Sequence, residues 1–451
     1  MEVVLTAVTG SDLDTADFTT TASGEILVSG TETVVLTAGN DTVTGSSGAD
    51  TITLSGIAAV GDEVDLAGGT DTLDLDDSGN VVNVTNVETI TGGSGTDEIT
   101  LTGTGETITV SAVETLTGGA GNDTVTLGAA QSSGTIDLAG GSSDSLALAN
   151  GTNSLTVSNT ETVTGGTGTD TITLGDSGNT VTISAIESLT GGAGTDVVTL
   201  SASVSAAAFT TLANGLTAAQ DTIVNGTSLT LTGETVAIDL TNQSSLIATD
   251  GGSTAFNGTF SNASGATLTL QSPSSTSSVL TVADGFTNSG TIVIDADSSS
   301  VVSTTLALTT GTLTNASGAT IQTTTGSSDT AIIDAVLSNT GTLDIDGKTT
   351  LTNTGRTFTN TGTIDVAASQ TLTVTGGTVT LGSGSTLKGT GTLSLGSSAD
   401  LTLNTDTTFG SSATKLSMSG GTVSTGASNT CLLYTSPSPR DRTRSRMPSS
   451  A

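Results

Sequence analysis

The chain has no histidine and no tryptophan, one cysteine (Cys431), one tyrosine, four prolines and only eight basic residues in 451 positions. Without His, and with a single Cys near one end, it lacks the ligands for zinc, haem or an iron–sulfur cluster and the partners for a disulfide framework. Catalysis by a His base or a Cys nucleophile goes with them. Lys and Arg are missing altogether before Lys348, while residues 1–250 hold 32 Asp and Glu. Such a field repels nucleic acid and anionic membranes and gathers cations; it also keeps a long secreted chain soluble. No segment approaches the ~20 apolar residues of a membrane-spanning helix, and Met1 to Gly10 shows neither the basic segment nor the apolar run of a cleavable signal peptide. With aromatics at 2%, a core has to be built in thin layers of Val, Ile, Leu and Ala.

What is present is repetition. Six glycine turns ending in aspartate begin at Gly68, Gly92, Gly118, Gly140, Gly165 and Gly191. Four read Gly-Gly-x-Gly-x-Asp: Gly92 to Asp97, Gly118 to Asp123, Gly165 to Asp170 and Gly191 to Asp196. An apolar/polar alternation follows each, as in Ile99/Leu101 or Ile172/Leu174, so a tight turn feeds a strand with alternate side chains inward. The steps are 22 to 26 residues, and three-turn blocks recur at 72 or 73. Hairpin sheets need turn signals about every 8–12 residues. The longer spacing predicts an ordered, all-β, right-handed parallel β-solenoid with coils of about 22–27 residues and about three short strands per coil.

The turns resemble the hemolysin-type calcium-binding repeats of the RTX family, whose nonapeptide is Gly-Gly-x-Gly-x-Asp-x-apolar-x. The resemblance covers residues 39–200. It implies Ca2+ held between neighbouring turns by backbone carbonyls and Asp carboxylates, a chemistry suited to an ion that takes six to eight hard oxygens. Carried onto this chain, the implied ligands are Asp97, Asp123, Asp170 and Asp196, with Asp71 and Asp144 in the shortened turns Gly-Gly-Thr-Asp and Gly-Gly-Ser-Ser-Asp. Asp41 and Asp50 close Gly39-Asn40-Asp41 and Gly48-Ala49-Asp50, the one pair set nine residues apart as in the family. The alternative is that glycine only makes the turn and aspartate bonds its own backbone. A second acidic set, Glu88, Glu114, Glu161 and Glu187, stands four residues before Gly-Gly and is expected to stack in a column of its own.

From about residue 256 the punctuation becomes Asn-x-Gly or Asn-x-x-Gly, at Asn262, Asn288, Asn315, Asn339, Asn353 and Asn360. Asn at a recurrent turn tolerates left-handed dihedrals, and its amide can bond the next coil's Asn in a ladder. Residues 256–410 resemble the repetitive passenger regions of bacterial autotransporters and filamentous adhesins. The expected division is a cap or partial coils in 1–38, an acidic solenoid in 39–200, degenerate coils with a short helix near Ala206 to Ala219 in 201–255, and a neutral β-helix in 256–430. Residues 431–451 resemble an in-frame translation of a sequencing adapter and are expected to be a disordered artefact. The resemblances imply a non-enzymatic, adhesin-type rod of ~80 Å at the bacterial surface or outside the cell, presented to glycans, other cells or a matrix. The alternatives are the repeat region of a larger secreted enzyme or toxin, a carbohydrate-active β-helix enzyme, and an ice-binding solenoid built on the recurrent Thr-x-Thr.

Overall fold

The structure is a computed structural model that describes residues 25–433 apart from 37–38, 219, 250–252, 297–300, 327, 411 and 427–429. The described residues contain 45 strands and one helix, and the strands pair in parallel from coil to coil, which makes the chain an all-β parallel solenoid. It forms two compact units, one from residues up to 202 with 207–223, the other from 203–206 with 224 onward. The expected cap in 1–38 lies mostly, and the expected tail beyond 433 wholly, outside the described residues.

The first unit is a two-sided stack. One sheet takes the strands Glu25–Leu27, Thr42–Thr44, Asp62–Asp65, Val81–Thr85 and so on to Ser188–Thr190; the other takes the alternate strands from Thr31–Val34 and Thr51–Leu54 to Thr180–Ser184 and Val197–Leu200. Each coil thus gives one short strand to each sheet. Inward positions such as Ile52, Leu73, Ile90, Val125 and Val163 on one sheet and Val43, Ile99, Leu116 and Ile172 on the other are at most 1% exposed. Each contributes roughly 1.5–3 kcal/mol of burial.

Here the expected coil of 22–27 residues with three strands is corrected. Strand partners one coil apart are 17 residues apart at Glu98↔Thr115, 20 at Thr115↔Thr135 and 21 at Thr124↔Ser145. The reason lies in turns that carry no glycine. Between the Gly-Gly turns sit Asn86-Val87-Glu88, Ala112-Val113-Glu114, Asn159-Thr160-Glu161 and Ala185-Ile186-Glu187, whose first residue takes the left-handed φ (53°, 52°, 48° and 51°) that usually marks glycine. A 25-residue step between Gly-Gly turns therefore spans three sides of the stack, and the 73-residue block spans four coils. The helix Ala206–Gly215 closes the unit as expected near Ala206: Phe209 and Leu212 are fully buried, and the Gly191 N–H reaches the Gly215 carbonyl at 2.9 Å, covering the open edge beside Ser188–Thr190.

The second unit has three strands in some coils, as in Ser245–Ala248, Ser253–Phe256 and Phe260–Asn262, and in others the second and third run together as one long strand, as in Ser303–Asn315. One side stacks Ser228–Leu231, Ser245–Ala248, Thr267–Gln271, Thr291–Ala296, Thr320–Thr325, Thr342–Ile345, Thr363–Val366 and Thr386–Gly389. Coil offsets on that side run from 17 (Ser228↔Ser245) to 29 (Thr291↔Thr320). Its signature is an inward asparagine ladder. Asn225, Asn242, Asn262, Asn288, Asn315, Asn339 and Asn360 are 0–1% exposed. Each Nδ2 donates to the next Oδ1 at 2.6–2.8 Å. From Asn225 to Asn339, each also donates to a backbone carbonyl of the next coil, as Asn288 does to Thr320 at 3.1 Å.

Two expectations change. Asn353 is not in the ladder, its buried Oδ1 having no hydrogen-bond partner. Nor do the ladder residues take left-handed dihedrals; they end strands, and their amides, not their φ, are what the position uses. The segment expected to be an artefact also enters the fold at its start, since Cys431–Leu433 pairs with Thr407–Phe409.

Candidate functional site

In the first unit, from Asp41 on, a polar residue at or shortly before the start of each strand stands at the corner of the coil, and these residues form two ladders. The corner leading into the first sheet holds Asp41, Asp62, Asn80, Asp97, Glu114, Gln131, Asn153, Asp170 and Glu187. The opposite corner holds Asp50, Asp71, Glu88, Glu106, Asp123, Asp144, Glu161, Asn179, Asp196 and Asp221. The aspartates of the Gly-Gly turns therefore fall on two edges, because successive Gly-Gly turns mostly lie three sides apart and change corner. All eight Asp singled out from the sequence are buried, at 0–1% exposure. Asp41, Asp97 and Asp170 share one corner, and Asp50, Asp71, Asp123, Asp144 and Asp196 the other.

Each ladder is held by backbone N–H groups donating to the next coil's side chain. Asp50 N–H donates to Asp71 Oδ1 at 2.7 Å, Glu106 N–H to Asp123 Oδ1 at 2.7 Å, Asp123 N–H to Asp144 Oδ1 at 2.6 Å and Asp196 N–H to Asp221 Oδ1 at 2.9 Å. On the other corner Asp41 N–H donates to Asp62 Oδ1 at 2.8 Å, and Asn153 Nδ2 to Asp170 Oδ1 at 2.7 Å. The carboxylates thus do the work a strand end requires: they accept N–H groups that no carbonyl reaches.

The four Glu belong to these same ladders, not to a separate column. Asp71, Asp97, Asp144 and Asp170 donate their N–H to Oε2 of Glu88, Glu114, Glu161 and Glu187 at 2.7, 2.9, 2.7 and 2.8 Å, always 17 residues on. These four Glu each end a three-residue turn, where the extra methylene lets the carboxylate reach the position that Asp reaches from a wider turn; Glu106 ends a five-residue turn. The sequence reading missed Asp62, Asn80, Glu106, Gln131, Asn153, Asn179 and Asp221. Most of them were present as a polar residue at or directly before the start of an alternating strand, without a glycine pair to draw attention to it; Gln131 stands four residues ahead of Thr135–Asp137.

These carboxylates are costly where they stand. Burial pushes Asp71, Asp97 and Asp144 above the ordinary aspartate range, and the facing Glu88, Glu114 and Glu161 carboxylates push the same way. Burial likewise raises Glu106, with Asp123 adding to it. Asp71 Oδ2, Asp97 Oδ2 and Asp144 Oδ2 are buried without any hydrogen-bond donor. Backbone carbonyls lie close by: the point where a Cβ on Gly141 would stand is 2.4 Å from Asp144 Oδ2 and 2.6 Å from the Gly121 oxygen. Among the described residues no three Asp, Glu or Cys side chains converge on one point. A cation here would be held by one or two carboxylates and by carbonyl oxygens, and that donor set fits Ca2+.

Four copies of the hemolysin-type RTX calcium-binding nonapeptide repeat match the chain, over residues 28–56, 111–130 and 157–182. These segments include Asp41, Asp50, Asp123 and Asp170 and leave out Asp71, Asp97, Asp144 and Asp196. No curated protein and no solved structure matches. The chain is thus a parallel β-solenoid, parts of whose first unit match the RTX calcium-binding nonapeptide repeat.

Proposed function

We propose that this chain is a structural repeat protein of the cell exterior, that Ca2+ stiffens its first unit, and that it serves adhesion to glycans, neighbouring cells or a matrix. The observation that carries the reading is the pair of corner ladders, which hold buried carboxylate oxygens without donors beside backbone carbonyls. Like charges stacked ~4.8 Å apart repel by ~1 kcal/mol in water and ~3 kcal/mol at an intermediate dielectric. A divalent cation relieves that repulsion and supplies the partner these oxygens lack. RTX repeats are typical of secreted proteins, which supports the external location. No helix among the described residues is long and apolar enough to cross a membrane.

Calorimetric titration of the full chain with Ca2+, paired with thermal melting, tests the reading. Saturating Ca2+ is expected to release heat and to stabilise the first unit by about 2.7 kcal/mol per site at a hundredfold excess over Kd. Chelation reverses it, and Mg2+ does not replace Ca2+, because Mg2+ demands a regular octahedron and sheds water reluctantly. No heat and no change in melting would overturn it.

A further inference from the structure

The corner turns of the first unit are not equivalent. In the turns ending at Asp123, Asp170 and Asp196 the second glycine donates its N–H to the carboxylate: Gly119, Gly166 and Gly192 reach Oδ2 at 3.0, 3.0 and 3.2 Å. The Oδ1 atoms are occupied as well, by Glu106 N–H, Asn153 Nδ2 and Asn179 N–H at 2.7, 2.7 and 2.8 Å. Asp50 is closed in the same way, by Gly30 N–H on Oδ1 and Ser46 N–H on Oδ2. These carboxylates are fully used as structural acceptors.

Asp71, Asp97 and Asp144 differ. Their Oδ1 atoms accept the N–H of Asp50, Asn80 and Asp123 at 2.7, 3.0 and 2.6 Å, but their Oδ2 atoms, equally buried, receive nothing. The cause is local. The turns of Asp71 and Asp144 are shortened, and in the turn of Asp97 the second glycine, Gly93, takes φ 96° where Gly119, Gly166 and Gly192 stay out of the left-handed region. A neighbouring coil's carbonyl approaches the carboxylate at all three, as it also does at Asp123 and Asp170, so it is the unpartnered Oδ2 that sets the three apart. The vacant Cβ position of Gly92 is 2.6 Å from Asp97 Oδ2 and 1.8 Å from the Ala112 oxygen; that of Gly69 is 2.9 Å from the occupied Asp71 Oδ1 and 2.5 Å from the Gly48 oxygen; and that of Gly141 lies between Asp144 Oδ2 and the Gly121 oxygen. At all three, too, the next coil presents a half-buried Glu: Glu88, Glu114 or Glu161. Glu187, beside the closed Asp170, is exposed.

We infer that the Ca2+ positions of the first unit are the Asp–Glu pairs Asp71/Glu88, Asp97/Glu114 and Asp144/Glu161, and that Asp123, Asp170 and Asp196 hold the fold without metal. The inference rests on the calcium reading and divides the sites differently from the motif, since none of the three pairs' aspartates falls in a segment matched by the repeat. Each pair offers two carboxylates from adjacent coils and at least one backbone carbonyl, with the remaining ligands left to water.

The test is Ca2+ calorimetry on the full chain and two triple variants, with far-UV circular dichroism to check the fold. Glu88→Gln/Glu114→Gln/Glu161→Gln is expected to keep the strands, since Gln still accepts the Asp N–H, and to weaken Ca2+ binding by at least tenfold. Asp123→Asn/Asp170→Asn/Asp196→Asn is expected to keep the Ca2+ heat and stoichiometry of the parent. Retained binding in the Gln variant, or lost binding in a folded Asn variant, overturns the assignment while leaving the calcium reading intact; absence of heat in the parent overturns the calcium reading itself. If the Asn variant does not fold, Asp97→Asn decides. Losing one equivalent of Ca2+ supports the assignment, and an unchanged stoichiometry overturns it.

Discussion

At the scale of single residues, the two units meet one requirement with different chemistry. Both place a polar side chain inward at a coil corner. In the second unit it is Asn, whose amide both donates and accepts, so a column of them closes on itself from Asn225 to Asn360. In the first unit it is mostly Asp or Glu, which only accept, so the column takes backbone N–H groups and repels itself. Asn288→Ala removes the acceptor of Asn262 Nδ2 and the donor to Asn315 Oδ1, both buried. It is expected to cost about 2–4 kcal/mol in chemical denaturation. An effect below about 1 kcal/mol would mean that the ladder is ornamental.

The carboxylates also set a pH dependence. Asp71, Asp97 and Asp144 lie above the ordinary value when folded, and unfolded Asp titrates near ~3.9. Below that value they are protonated in both states and cost nothing. As pH rises through it, the unfolded chain loses protons first, so the folded state binds more and stability falls; the loss is complete once the pH passes the folded values. The metal-free first unit is therefore expected to melt lower at pH 7 than at pH 4 on account of these groups, and to gain more from Ca2+ at pH 7. Melting curves with chelator across pH 4 to 8 check it, and a melting temperature that climbs through the window contradicts it.

At the scale of elements, the strands were legible and the coil was not. Alternations such as Ile99/Leu101 and Ile172/Leu174 announced strands with inward faces, and the structure buries those residues at 0–3%. The coil length was hidden because half of the logic of the corners runs without glycine. Ala112 and Ala185 adopt φ 52° and 51°, which costs an L-residue roughly 1–2 kcal/mol, and Val113 and Ile186 bury themselves in the same turns at 2% and 3%. A reader of glycine pairs counts one turn where the fold makes three. The candidate carboxylates were legible for the same reason that their neighbours were not: Asp97 follows a glycine pair, whereas Asp62 and Glu106 follow none and occupy equivalent rungs.

The glycine pairs themselves are not uniform in what they require. A Cβ on Gly92 would stand 1.8 Å from the Ala112 carbonyl oxygen, whereas one on Gly68 would meet nothing within 4 Å. Both open a Gly-Gly turn. Gly92→Ala is expected to destabilise the first unit by about 3 kcal/mol, and Gly68→Ala to stay within about 0.5 kcal/mol. Equal effects in denaturant melts would show that the corner relaxes freely and that the close coil contact at Gly92 is not a constraint.

At the scale of the whole molecule, the net charge of −35 is unevenly held. Residues 1–250 carry 32 acids and no base, while residues 251–430 carry 10 acids and four bases, one of which, Arg356, pairs with Asp334. In a stack each coil touches mainly its neighbours, so stability accumulates coil by coil and each unit answers to its own corners. The acidic unit should respond to anything that screens or neutralises its ladders, and the asparagine unit should not. Raising NaCl from 0.1 M to 1 M shortens the screening length from ~10 Å to ~3 Å, which weakens repulsion among the exposed acids of that unit and among its half-buried Glu rungs, and much less among the buried Asp. Without Ca2+, that change is expected to raise the melting of the first unit by several degrees, and Ca2+ at millimolar concentration to do so at constant ionic strength. The transition of the second unit stays in place in both experiments. Scanning calorimetry resolves the two, and a single transition that moves as a whole with salt and Ca2+ would show that the ladders of one unit govern the stability of the other.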